Sequence, residues 1–396
     1  MNQQTAPVTV PQAPTPTRRR TKGFLLATLA AALLSGNAMA AGKLKIGDHS
    51  WVSLGAGIRT AFTAVEDAAP NGTDYSSSFD VQNVRLYFNG QANDWLGMTI
   101  NTDDIKSDGS KGHVDLLDVI LRFELSDQLN IWAGRMLTPA DRIEMNGPFY
   151  SLTWNQYTQP LYPSDQTGDA GLYGRDDGVT VWGKYDKFQY AVGIFNGLRG
   201  YSNRSDTMLY AARFAYNFLN MEDNPAYYTS STYYGGLGNI LTLGVSLQSQ
   251  NDGTGSITQS GDFSGYTVDL LSETVLGGGG VLTLEGEYKN FSADYTPANP
   301  ATGDCFCLFD GDSYFATAAY LIPTAVGPGK FQPYLRYVEN KPSDASSSDL
   351  TEVGVNYVID GHNALLNFNY STGDAGITGY PGADVKSFSI GVQLQI

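Results

Sequence analysis

The chain has 396 residues, and its 24 lysines and arginines face 40 aspartates and glutamates, a formal charge of −16. That balance excludes nucleic acid as a partner, because phosphates demand a basic surface. Only 16% of residues are charged, while glycine (45) and tyrosine (25) are abundant, which suits many turns, aromatic girdles and an interior of uncharged polar groups.

From the N-terminus, Arg18, Arg19, Arg20 and Lys22 precede an eleven-residue apolar run, Phe24–Leu34. Ser35, Gly36, Asn37 and the A-x-A site Ala38-Met39-Ala40 follow. This reads as a secretory signal peptide over residues 1–40, cut after Ala40. The run is too short to cross a bilayer, which takes about 20 residues. Removing it takes four basic and no acidic groups from 24 and 40, leaving 20 against 40 and a charge of −20. No other stretch approaches a transmembrane helix in length, so membrane insertion has to use strands.

From Trp51 onward the chain reads as alternating apolar and polar residues at the period of a strand, broken by turn residues. The segments are Trp51–Val65, Phe79–Ala92, Trp95–Asp103, Asp115–Leu125 and Gln128–Arg135, then Val179–Lys184, Phe188–Phe195 and Met208–Tyr216. Leu241–Gln250, Tyr266–Val275, Val281–Phe291, Ser313–Leu321, Phe331–Asn340, Leu350–Ile359, Ala364–Thr372 and Val385–Ile396 complete sixteen. Their lengths suit tilted membrane strands of about 9–11 residues.

Connections alternate in length. Asn93–Asp94, Ser126–Asp127, Asp186, Gly277–Gly280 and Asp360–Gly361 are short. Glu66–Ser78, Lys106–His113, Asn196–Thr207, Asn251–Ser264, Ser292–Asp312, Lys341–Asp349 and Gly373–Asp384 are long and polar. Asn217–Ile240 breaks the rule, being long where a short turn is due. The pattern predicts an all-β fold, a transmembrane antiparallel β-barrel of sixteen strands with both termini on the short-turn, periplasmic rim. The last strand also resembles the carboxy-terminal signal that outer-membrane barrels present to their assembly machinery, through Ser389, Gly391, Leu394 and Ile396, although it ends without an aromatic residue.

Sixteen strands enclose a lumen too wide for strand side chains to fill. Residues 137–178, between the fifth and sixth strands, form the candidate to narrow it: a long loop without evident secondary structure, mixing prolines, aromatics and both charges. It carries Asp141, Arg142, Glu144, Asp165, Asp169, Arg175, Asp176 and Asp177. Strand phase points Arg59, Arg85, Arg122, Arg213 and Arg336 inward, together with Asp118, Glu124, Glu285, Glu287 and Glu352. Arginines on the wall facing acids on an inserted loop would set up a transverse field at a constriction, which favours polar solutes.

Cys305 and Cys307 are the only cysteines, and in an oxidising compartment they are candidates for a local disulfide. Zinc wants more nitrogen and sulfur ligands than this segment offers, and no spacing marks a calcium site. Neither a metal nor a cofactor is expected. His49, His113 and His362 fall before the first strand, in a surface loop and in a periplasmic turn, so a hydrolytic centre is not expected either.

The stretches FDVQNVRLYFNGQ, VDLLDVILRFELSDQLNIWAGRMLTP, GRDDGVTVWG and EDNPAYYTSSTYYGGLGNILTLGVSLQSQ resemble the phosphate-selective porin O/P family of Gram-negative outer membranes. The resemblance implies a sixteen-stranded homotrimeric channel for passive diffusion, surrounded by outer-membrane lipid. The inserted loop of trimeric porins follows the fifth strand, as residues 137–178 do. Phosphate-selecting members carry an arginine ladder and a lysine cluster, whereas residues 137–178 contain no lysine and more acids than arginines. The expected function is therefore a general or weakly selective pore for ions and small polar solutes. The alternatives are an anion or phosphate channel, and an adhesin or a sheath around a partner protein with its lumen free.

Overall fold

The structure is a computed structural model that describes residues 42–105, 113–166, 170–294 and 305–396. The cleavage residues Ala38 and Ala40, most of the expected loop Lys106–His113, and Asp169 lie outside these residues. Sixteen long strands follow one another: β1 Trp51–Val65, β2 Ser76–Gln91, β3 Leu96–Ile105, β4 His113–Ser126, β5 Leu129–Leu137, β6 Arg175–Tyr185, β7 Phe188–Phe195 and β8 Leu209–Asn217. The second half comprises β9 Ile240–Ser256, β10 Gln259–Val275, β11 Val281–Ala293, β12 Gly311–Leu321, β13 Lys330–Pro342, β14 Ser348–Asp360, β15 Ala364–Gly373 and β16 Val385–Gln395. Each pairs antiparallel with its neighbour. The ring closes where β16 pairs with β1, from Ser387 opposite Val65 to Gln395 opposite Gly57. Closure removes both sheet edges, so the strands' backbone groups find partners without water, as a bilayer requires.

Two two-residue segments add to the sheet, Leu44–Lys45 against β1 and Cys305–Phe306 against β9. The expected loop Asn251–Ser264 is corrected. β9 and β10 run on as a long hairpin with a bulge between Gln250 and Thr254, turning at Ile257 and Thr258. Pairing satisfies the backbone there whatever the side chains are, so polarity alone did not mark a loop. The backbone of His113 likewise opens β4 and does not sit in a loop.

Burial is inside out. Leu54, Leu86, Leu121, Leu335, Val353 and Leu394, from strands all around the ring, are each at least half exposed. On β9 the polar Thr242, Ser246, Gln248 and Gln250 are buried while Leu243 and Leu247 are exposed. Leaving one such leucine in water costs about 1.5–3 kcal/mol relative to burying it, so this belt is an outer surface that calls for an apolar surrounding. Aromatic pairs mark its margins: Phe188 with Phe214, Tyr216 with Phe218 and Phe331 with Tyr357 near the short turns, and Phe62 with Phe79 and Tyr266 with Tyr288 toward the long loops. Tyrosine and phenylalanine in these places form the girdles expected at the two water interfaces.

Candidate pore site

Residues 138–174 join β5 to β6, and unlike the sequence expectation they contain regular structure. A short helix, α1 (Arg142–Tyr150), starts at Asp141, whose carboxylate accepts the Glu144 N–H at 2.9 Å and caps the first turn. The helix breaks at Gly147, whose positive φ of 64° precedes Pro148, a residue with no N–H to continue the ladder. A single 3₁₀ turn follows at Pro163–Asp165. These breaks explain why periodicity was silent across the segment.

The described residues of the segment are almost wholly buried, charges included. Its carbonyls accept hydrogen bonds from inward-phase side chains of many strands. Gln248 donates to Pro139 O at 2.9 Å, Lys289 to Pro160 O at 2.8 Å and Asn356 to Leu152 O at 2.8 Å. Gln393 donates to Phe149 O at 3.0 Å, Arg336 to Gln156 O at 3.3 Å and Arg59 to Trp154 O at 3.0 Å. Gln159 Nε2 meets Ser313 Oγ at 2.7 Å. Donors on β9, β11, β14, β16, β13 and β1, and an acceptor on β12, therefore hold one segment.

The irregular connection 218–239 docks on α1. Arg142 grips Glu222 with two nitrogens, at 2.9 and 2.7 Å, and also donates to Ser230 O at 2.8 Å and to Asp269 at 3.3 Å. Asn146 donates to Ser231 Oγ at 2.7 Å, and Thr229 Oγ1 to Arg142 O at 2.7 Å. Although burial opposes ionisation, the guanidinium of Arg142 holds the Glu222 carboxyl below its usual range. From the turn after β14, His362 packs against Tyr150 and Tyr234 and bonds Ser230 and Thr232 O. Burial drives its pKa down to about 4, so it is neutral at pH 7.

The wall arginines take partners mainly on the wall. Arg85 bonds Asp103 at 2.6 Å, Arg122 bonds Glu124 at 2.9 Å and Arg336 bonds Glu352 at 2.6 Å. Arg213 bonds Asp269 at 2.5 Å, and Arg175 reaches Asp118 at 3.1 Å. Among the described residues Arg59 has no acid within ion-pair distance; its guanidinium stacks 4.0 Å from the Trp154 ring centre. The reason is proximity: strand neighbours lie within reach, whereas a segment outside the sheet must come to them. Asp176 accepts from the N–H groups of Asp177 and Gly197.

The loop acids meet a lysine instead. Lys289 Nζ lies 2.7 Å from Asp141, 2.9 Å from Glu144 and 3.8 Å from Glu287. Burial raises Glu144 above the usual carboxyl range despite Lys289, and pushes Asp165 up to about 6. Lys289 was missed in the sequence, yet it continues the inward series Glu285, Glu287 at the strand period, which could have found it. Asp103, Asp269 and Glu222 were missed as well. So were the glycines that admit the segment's aromatics: a Cβ at Gly57 would lie 2.9 Å from Phe149, and one at Gly391 would run into Trp154. Gly391, Leu394 and Ile396 belong to or directly follow β16, with Leu394 and Ile396 exposed outward.

A closed sixteen-stranded ring, greasy outside and polar within, defines a channel protein of the outer membrane. The model of the family Phosphate-selective porin O and P matches residues 52–274, and the chain belongs to that family. Its solved structural neighbours are outer-membrane proteins. OmpF of Salmonella typhi in complex with daunomycin aligns with a TM-score of 0.56 at 12% identity, covering 90% of this chain and 100% of that one. OmpT of Vibrio cholerae gives 0.54 at 14%, and the outer-membrane channel DcaP of Acinetobacter baumannii gives 0.53 at 13%, each again over 90% and 100%. No curated protein matches the chain in sequence. The protein is a porin of the Gram-negative outer membrane, a conduit for passive diffusion and not an enzyme.

Proposed function

We propose that residues 138–174 lie across the lumen as the constriction of a general or weakly selective pore, with residues 218–239 bracing them from the other rim. One observation carries this reading: carbonyls of a single segment are bonded by inward side chains of strands distributed around the ring. A sheath or adhesin needs no such filling, and a sheath needs a free lumen. The phosphate reading has the family name in its favour. Against it, every inward arginine named above except Arg59 is already neutralised by an acid.

The remaining features fit an exported trimeric porin. Residues 1–40 direct secretion and are cut after Ala40. Gly391, Leu394 and Ile396 present the strand that the assembly machinery reads. Outer-membrane lipid wets the apolar belt, and three copies associate. OmpT of Vibrio cholerae has a solved trimer form, at 14% identity and a TM-score of 0.55 over 88% of this chain. Cys305 and Cys307, with Cα atoms 5.2 Å apart, form a local disulfide.

Reconstituted into a planar bilayer, the purified protein is expected to give discrete ion-conducting steps. A protein that inserts without conducting would sink the proposal.

A further inference from the structure

We propose that residues 305–310 form a redox-set clasp at the long-loop mouth of the barrel. It is held down while the Cys305–Cys307 disulfide is intact and released when a small external thiol reduces it. The inference rests on that disulfide and, for its readout, on the pore reading above.

Residues 305–310 tie separate parts of the long-loop rim together. Cys305 and Phe306 pair with Ser256 and Gly255 at the tip of β9. The Thr254 hydroxyl donates to Phe306 O at 3.0 Å and accepts the Leu308 N–H at 3.1 Å. The Asp310 carboxylate accepts the N–H of Ala293, the last residue of β11, at 3.2 Å. Its carbonyl accepts the N–H of Ser343, in the connection after β13, at 2.9 Å. The Phe309 ring lies 5.6 Å from that of Tyr380, in the connection before β16, and a Cβ at Gly379 would run into it.

Alternation along the short strand sets Phe306 on one face and its two flanking cysteines on the other. Phe306, Leu308 and Phe309 are buried in one cluster with Phe263 of β10 and Phe291 of β11. Those two rings in turn hold Tyr162 of the 138–174 segment, at 6.4 and 4.7 Å between ring centres. The clasp therefore packs, through two rings, onto the segment proposed to narrow the lumen. Cys305 and Cys307 are only half-buried, so a small thiol has access to them.

Ordering residues 305–310 costs backbone entropy that two ladder pairs and one hydroxyl do not return. The balance rests on the buried Phe306, Leu308 and Phe309 and on the covalent ring that fixes Phe306 between its cysteines. Opening the ring frees the backbone on both sides of Phe306. Two small-molecule thiol groups supply two electrons and two protons. The S–S bond breaks, two S–H groups form, and the reductant is left as a disulfide.

The test adds dithiothreitol to the bilayer-inserted protein and to the variant Cys305→Ser with Cys307→Ser. Single-channel conductance of the unmodified protein should rise by about a quarter or more as the mouth widens. The serine variant should start at the raised level and ignore the reductant. Alkylation read by mass verifies that both thiols formed. Unchanged conductance with both cysteines alkylated overturns the clasp and leaves the pore reading intact, and so does an equal response in the serine variant. Cysteines that resist reduction overturn it too. Absence of conductance before any reductant overturns the pore reading itself.

Discussion

Replacing residues 143–172 by a short glycine–serine linker is expected to raise single-channel conductance about threefold or more, since conductance follows the open cross-section at the narrowest point. The strand pairing that closes the barrel does not involve this segment. Every strand pairs with two neighbours, and the ring closes through β16 and β1 without it. On the proposed reading the deletion removes the filling: Phe149 beside Gly57, Trp154 beside Gly391, and Gln159 against Ser313. Water replaces these groups, and the freed polar side chains of the wall solvate readily. Conductance equal to that of the intact protein would mean that the narrowest ring lies elsewhere.

The second large effect belongs to Arg142→Ala. Its guanidinium is 1% exposed and joins Glu222, Asp269 and Ser230 O, so it ties α1 both to the 218–239 segment and to β10. Removing it leaves Glu222 buried without its cation, which costs about 3–5 kcal/mol. The unfolding midpoint of the detergent-solubilised barrel should fall accordingly. Glu222→Gln keeps the hydrogen-bonding shape and should cost less. The double variant Arg142→Ala with Glu222→Gln should be more stable than the sum of the single losses, because it leaves no orphaned charge. Additive losses would show that the two groups do not act as a pair.

Much of the architecture was legible because a barrel strand writes its two environments into alternate residues. Trp51–Val65 and Phe188–Phe195 were bounded from the alternation alone, and all sixteen strands were found. The hairpin beyond Gln250 escaped because strands that rise above the bilayer need no apolar face. The helix at Arg142–Tyr150 escaped because Gly147 and Pro148 interrupt it and because both its faces are buried. Phase selected the inward arginines, but not their partners. Arg85 with Asp103 and Arg213 with Asp269 depend on strand register, which one chain does not reveal. Lys289 lies two residues beyond the inward Glu287 on one face and was within reach of the same phase argument. Glu222 was not, since nothing in EDNPAYYTSS announces that it meets Arg142 across 80 residues.

The most direct test of a segment lodged across the lumen joins its middle to the far wall. With Cys305 and Cys307 replaced by serine, the substitutions Gln159→Cys and Ser313→Cys place two thiols where a 2.7 Å hydrogen bond now stands. A short bifunctional thiol reagent should bridge them in intact outer membranes, giving a shift in electrophoretic mobility that neither single variant shows. A pair that stays unbridged while each thiol remains individually reactive would contradict the account.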